Sequence, residues 1–203
     1  MSIAICEQAP DFQAAAVMPD GTIKEDFKLS DYQGGYLVLF FYPMDFTFVC
    51  PSEIIAHNKR VNSFKAKGAQ VIGVSIDSQF SHLAWRNTPT DKGGIGLVDF
   101  PLVADVKRVI IDSYGVANSD GVALRASFLI DRDRVIQHAT INNLPLGRNV
   151  DEMLRLLDAL KFTEEHGEVC PAGWKDGDVG MVCLLYTSPS PRDRTRSRMP
   201  SSA

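Results

Sequence analysis

Apolar residues fall in short runs separated by glycine, proline and charged clusters, and the spacing inside each run predicts an element. The densest run, Tyr36 to Tyr42, is aromatic, aliphatic and β-branched, follows Gly34-Gly35, and is too short for a helix. Apolar on both faces, it predicts a buried central strand. A proline turn follows. From Cys50-Pro51 onward Ile54, Val61 and Phe64 fall on one helical face, and Pro51 suits a helix start because its missing N–H is not needed there. That helix ends near Lys67-Gly68, and Val71 to Ile76 gives a second buried strand. Strand, helix, strand in this order implies a parallel pair with a right-handed crossover.

The remaining pattern is weaker but regular. Phe12 to Val17 predicts a first strand, Pro19-Asp20-Gly21 a turn, and Thr22 to Lys24 the returning strand of an N-terminal hairpin. Ser30 to Tyr32 reads as a helical turn and Ser78 to Asn87 as a helix. Gly93-Gly94-Ile95-Gly96 reads as a flexible turn, since no helical pattern opens after it to make a phosphate loop. Pro101 to Val103 is a short strand and Val106 to Tyr114 a helix stopped by Gly115. Leu124 to Ile130 and Val135 to Ile141 flank the charged turn Asp131 to Arg134, which predicts an antiparallel hairpin with a solvated tip. Asn149 caps the last helix with Glu152 at capping-box spacing, and Met153, Leu154, Leu157 and Leu160 form its apolar stripe.

Composition narrows the classes. A chain of 203 residues holds one domain with a sizeable core, and its net charge of −4 points neither to nucleic acid nor to a membrane surface. No apolar run approaches the roughly 20 residues of a membrane span. The first residues, Met1 to Glu7, lack the basic flank and apolar core of a signal peptide. Four cysteines (Cys6, Cys50, Cys170, Cys183) are too few for a disulfide scaffold, and none forms a C-x-x-C pair. The expectation is a reducing, cytoplasmic setting with catalytic rather than structural thiols.

Chemistry gathers at Cys50. A cysteine that opens a helix sits where unpaired backbone N–H groups and the positive end of the helix dipole meet, a setting that favours thiolate. On the residues alone it reads either as a small buried hydrophobe or as a reactive thiol. The spacing Pro43-x-x-x-Thr47-x-x-Cys50 places a rigid ring and a hydroxyl close by. This stretch, Phe40 to Glu53, resembles the active-site loop of the peroxiredoxins of the typical two-cysteine class nearly residue for residue, and the resemblance extends over about residues 5 to 181. It implies an α/β, thioredoxin-like fold: a central mixed β-sheet flanked by helices, with an N-terminal β-hairpin and a C-terminal arm. The expected organisation is a domain over 1–161, an arm over 162–181 and a tail over 182–203.

The resemblance also implies roles. Cys50 is the peroxidatic cysteine, with Thr47 and Pro43 shaping its pocket. Arg125, which interrupts the apolar strand Leu124 to Ile130, is on the residues alone either a solvent-facing strand end or a cation turned into a pocket; the resemblance makes it the active-site arginine. Glu53, one helical turn from Cys50, is either a helix-capping carboxylate or, by resemblance, part of a network in which Arg148 helps orient Arg125. Cys170, beside Trp174 in a Gly-rich segment, reads equally as reactive or incidental; the resemblance makes it the resolving cysteine, acting on Cys50 of a neighbouring subunit. The implied enzyme is a thiol peroxidase for hydrogen peroxide and organic hydroperoxides, recycled by thioredoxin or a similar dithiol reductase. It works as a homodimer or a ring of dimers such as a decamer, without metal, haem or flavin.

The chain departs from that pattern after Met181. Val182 to Ala203 turns to Ser, Pro and Arg, which predicts disorder and a non-native end, and Cys183 within it has no assigned role. Other readings are weaker. A thioredoxin-type exchanger needs a cysteine at position 53, where Glu stands. A holdase chaperone or a redox relay would be separated from a peroxidase by Cys50→Ser and Cys170→Ser proteins.

Overall fold

A computed structural model describes residues 5–182. The chain divides into two compact units, residues 1–157 and 158–203. The elements run β1 (Gln13–Val17), β2 (Ile23–Lys28), β3 (Tyr36–Phe41), α1 (Cys50–Ala66), β4 (Ala69–Ser75), α2 (Gln79–Asn87), β5 (Leu102–Ala104), α3 (Val109–Ser113), β6 (Arg125–Ile130), β7 (Ile136–Asn142) and α4 (Val150–His166). The expectations for the N-terminal leader and for the tail with Cys183 fall on residues 1–4 and 183–203, outside the described residues.

The sheet order is β2-β1-β5-β4-β3-β6-β7. Pairs β3–β4 and β4–β5 are parallel and the others antiparallel, so the sheet is mixed. The run that is apolar on both faces takes the middle: every residue of β3 is buried. Leu37, Leu39 and Phe41 face one side, packed with Ile72, Val74, Phe128 and Ile130 in the main core. Each such side chain contributes roughly 1.5–3 kcal/mol of burial. Phe40 faces the other side, opposite Gly73 of β4. A Cβ on Gly73 would lie 2.8 Å from Phe40 Cζ, so the missing side chain lets that ring lie across β4.

α1 begins at Cys50 with Pro51 second, and ends at Ala66 with Lys67 as its cap, after which Gly68 turns out of the helix at φ +77°. Ser78 caps α2 by accepting from the Ser81 N–H. The two-strand hairpin extends further than the Thr22–Lys24 pattern predicts, because Phe27 is fully buried and pairs with Ala14.

Four local expectations change. The helix predicted over Val106–Tyr114 shrinks to α3, because Arg108 sits at φ +59° and Asp105 Oδ2 accepts the Ile111 N–H at 2.8 Å, tying off the chain before Val109. Gly93–Gly96 is a bonded turn rather than a flexible one: its N–H groups reach the carbonyls of Thr90, Pro89, Trp85 and Thr88, and Trp85 Nε1 donates to the Gly93 carbonyl. The turn Asp131–Arg134 is held from within, since buried Asp131 accepts from the Asp133 and Val135 N–H groups and from Gln137. Asn149 caps α4 as expected, but Glu152 pairs with Arg155 at 2.7 Å in place of closing a capping box.

The second unit carries the last turns of α4 and the arm. Trp174, 2 % exposed, packs on Phe162 with centroids 4.9 Å apart, and Val169 bridges to Met181.

Candidate active site

The site is built where β3 ends and α1 begins. Cys50 is the first residue of α1 and fully buried. The helix start offers its sulfur less than the sequence suggests. Pro51 has no N–H, and the Ser52 and Glu53 N–H groups both reach the Val49 carbonyl. The charged partner comes instead from across the sheet. Arg125, first residue of β6 and 4 % exposed, donates from Nη1 to Cys50 Sγ at 3.4 Å and to Glu53 Oε2 at 2.7 Å. Its Nε donates to the Leu144 carbonyl at 2.5 Å. A planar fork fixed at three points holds a donor on the sulfur without freedom to swing away. Burial works against the Arg125 charge, and the bond and charge of Cys50 and the carboxylate of Glu53 outweigh it, so its proton is held more firmly than usual.

Arg148 locks the other side of Glu53. Its backbone N–H and Nε both donate to Glu53 Oε1, at 2.9 and 2.8 Å, and Nη2 donates to Oε2 at 2.9 Å. Its Nη1 reaches the carbonyls of Phe41 (2.8 Å) and Ala126 (2.5 Å) and the Ser127 hydroxyl (3.1 Å), joining the ends of β3 and β6. Burial pushes the Glu53 carboxyl up, but the two guanidiniums, Arg148 foremost, bring it below its ordinary value of 4.5.

The loop between β3 and α1 is pinned by a separate buried group that sequence reasoning misses. Tyr42 Oη donates to Asp45 Oδ1 at 3.0 Å, and His82 Nδ1 lies 2.8 Å from Asp45 Oδ2 with both side chains at most 1 % exposed. His82 Nε2 lies 3.2 Å from the Val103 carbonyl, and the Asp45 N–H donates to Asp77. Burial, with Asp45 beside it, raises the Tyr42 phenol well above its ordinary range. The spacing of Tyr42 and Asp45 gave no hint of this, because His82 and Asp77 come from distant segments.

Of the expected site residues, Cys50, Arg125, Glu53 and Arg148 meet in one buried cluster. Pro43 is buried in the loop, whereas the Thr47 hydroxyl donates to the Met44 carbonyl at 3.1 Å. Cys170 belongs to the second unit, half-buried, with Sγ 3.6 Å from the Ala159 carbonyl and 3.8 Å from Thr163 Oγ1. A further residue was missed: His57 follows Glu53 by one helical turn on the same face of α1, and that spacing alone marked it. It is 2 % exposed, its Nδ1 lies 2.8 Å from the Glu53 carbonyl, and burial and the nearby Arg148 charge lower its pKa to about 4.

A buried cysteine at a helix start, bonded by an arginine inside a thioredoxin-like sheet, defines a thiol-based redox site. The AhpC/TSA family model matches residues 5–139, and that of the C-terminal domain of 1-Cys peroxiredoxin matches residues 159–183. Chicken peroxiredoxin-1 is 58 % identical over 174 residues, covering 85 % of this chain and 87 % of its own. Alkyl hydroperoxide reductase C of Helicobacter pylori strain J99 is 57 % identical over 178 residues, covering 87 % and 90 %. The reduced crystal structure of Plasmodium vivax 2-Cys peroxiredoxin superposes with a TM-score of 0.85 at 45 % identity, over 87 % of this chain and 91 % of that one. The chain belongs to the 2-Cys peroxiredoxin/AhpC family, and with it to the thiol peroxidases. No helix of the described residues is long and apolar enough to cross a membrane.

Proposed function

We propose that Cys50 is the thiol that meets the peroxide, that Arg125 holds it for attack, and that Cys170 of a partner subunit closes the cycle. The thiolate attacks one peroxide oxygen, the O–O bond breaks, and the other oxygen leaves as hydroxide or alkoxide and takes up a proton. Cys50 is left as sulfenic acid. The Cys170 thiol then attacks that sulfur, water leaves, and an intersubunit disulfide forms. A dithiol reductase such as thioredoxin restores both thiols by exchange. Hydrogen peroxide and organic hydroperoxides are the substrates, and the setting is a reducing cytoplasm.

One observation carries the reading: Arg125 Nη1 bonds both the Cys50 sulfur and Glu53, so a cationic donor is held beside the nucleophile. Such a donor stabilises negative charge on the attacking sulfur and on the departing oxygen. Glu53 and Arg148 serve as supports for Arg125, Pro43 shields the sulfur, and the Thr47 hydroxyl, anchored on Met44, offers its lone pairs to the peroxide. Residues 162–181 act as the arm that carries Cys170. The working unit is a homodimer, assembled further into rings of dimers.

The test is a non-reducing gel with intact mass after one equivalent of hydrogen peroxide, on wild type, Cys50→Ser and Cys170→Ser. A linked dimer in wild type alone, with oxygen added to Cys170→Ser, supports the scheme. Equal oxidation of Cys50→Ser and wild type refutes it.

A further inference from the structure

A cavity of about 290 Å³ opens beside α1 and α4 over the β6–β7 edge, with His57, Ser127, Thr140, Arg148, Glu152 and Met153 on its wall. Ser127 and Thr140 stand opposite each other in the β6–β7 register, so both present one face of the sheet to it. Two groups on this wall can bond an occupant. The Glu53 carbonyl, 2.8 Å from His57 Nδ1, fixes that nitrogen as the N–H, which leaves Nε2 of this 2 % exposed ring as a bare acceptor. Ser127 Oγ accepts from Arg148 Nη1 at 3.1 Å, and its own proton remains to be donated. The wall thus offers an occupant one acceptor, His57 Nε2, and one donor, the Ser127 hydroxyl.

The surroundings select the occupant's charge. Burial and the Arg148 guanidinium, which hold a proton off His57 down to about pH 4, oppose any other cation at Nε2 equally. An anion would face the Nε2 lone pair and the Glu152 carboxylate, while the Arg148 donors are already committed to Glu53, Phe41, Ala126 and Ser127. Water satisfies Nε2, but the cavity is many times the roughly 10–15 Å³ that a single water needs. Since apolar cavities of about 150 Å³ hold benzene, this one has room for roughly eight to ten heavy atoms.

We propose that this cavity binds a small neutral amphipathic molecule with one O–H or amide N–H, which donates to His57 Nε2, accepts from Ser127 and lays its apolar body on Met153. The site lies behind the arginine that supports Glu53 and does not depend on the roles given to the cysteines.

The probe is 4-fluorophenol, titrated into the full chain and followed by ¹⁹F NMR, with 4-fluorotoluene as the partner lacking the donor. The expected result is saturable binding of the phenol, weakened roughly tenfold or more in His57→Phe, in Met153→Trp, and for 4-fluorotoluene on wild type, the worth of about one hydrogen bond. Absence of saturable binding to wild type, or equal affinity of phenol and toluene, overturns the proposal. So does phenol affinity unchanged in both variants. The comparison of the two probes uses wild type alone and decides the matter even if a variant fails to fold.

Discussion

The imidazole of His57 lies flat on the ring of Phe40, with centroids 4.1 Å apart and planes 8° apart. The same ring carries the Arg148 guanidinium at 5.3 Å. A neutral ring is therefore built into the support of a cationic cluster, and acid acts directly on it. The folded chain keeps His57 at a pKa of about 4 against an ordinary 6.5, so the unfolded chain binds the proton first as pH falls. Stability is lost between those two values, by up to about 3 kcal/mol at pH 4. His57→Phe removes that loss: its urea midpoint should vary less than wild type between pH 6.5 and pH 4. Below pH 4.5 both proteins should weaken further, because Glu53 takes up a proton in the unfolded chain at about its ordinary value while the folded cluster still resists it.

Glu53 is the single carboxylate between two buried guanidiniums, 2.7 Å from Arg125 and 2.8 Å from Arg148. Glu53→Gln keeps the shape and removes the charge. The cost of stranding buried cations is about 3–5 kcal/mol. Chemical denaturation should show that loss, and stopped-flow peroxide consumption should fall with it as Arg125 is released from its place.

Arg125→Lys keeps the positive charge and loses the fork that spans the Leu144 carbonyl, Glu53 and Cys50. One ammonium cannot hold all three in the same geometry. The second-order rate of Cys50 oxidation should drop by roughly 10- to 100-fold, about 1.4–2.7 kcal/mol, with a smaller change in denaturation midpoint than in Glu53→Gln.

Gly94 has no room for a side chain: a Cβ there would run into the Thr88 carbonyl and its neighbouring backbone. Gly94→Ala must displace the turn that receives the Trp85 indole N–H. A loss of about 1–3 kcal/mol is expected, read as a lower melting temperature. Gly93→Ala, where open space surrounds the position but φ is +81°, should cost only about 1 kcal/mol, the left-handed backbone penalty.

Trp174→Ala tests the arm. The indole is buried against Phe162, and its Nε1 donates to the Asp178 carbonyl at 3.0 Å. Truncation of a buried tryptophan costs about 3–5 kcal/mol, enough to open a small unit. Alkylation of Cys170 by iodoacetamide, followed by mass spectrometry of the Cys50→Ser protein, should accelerate.

The central strand and the Cys50 helix were legible because a run apolar on both faces has one place to go and because proline at a helix start has one meaning. The ends of α3 were not. Apolar spacing from Val106 looks helical, but Val106 and Val109 are more than half exposed, and Arg108 takes a left-handed conformation that no periodicity reveals. Within the site, Cys50 and Glu53 could be read from spacing along one helix. Arg125 stood out as a charge in an apolar strand, yet its direction was open until the fold turned it inward. Arg148 carried no local signal and entered through resemblance alone. Asp45 and His82 stayed invisible because their bond joins segments 37 residues apart. His57 shared its helical face with Ile54, Val61 and Phe64, and a histidine on a buried stripe was there to be noticed.

The cluster under Cys50 also has an electroneutrality condition. With sulfur as thiolate, two guanidiniums face two negative groups in a space where the Arg125, Arg148 and Glu53 side chains are at most 5 % exposed. The proposed first step turns the sulfur into an uncharged sulfenic acid and leaves one positive charge in excess, where poor solvation makes an unmatched charge expensive. The reaction product thus weakens the very enclosure that favoured the reaction. The relief open to it is an approaching anion, and in the proposed cycle the second cysteine is that anion if it arrives as thiolate, with the departing oxygen taking up the proton as water.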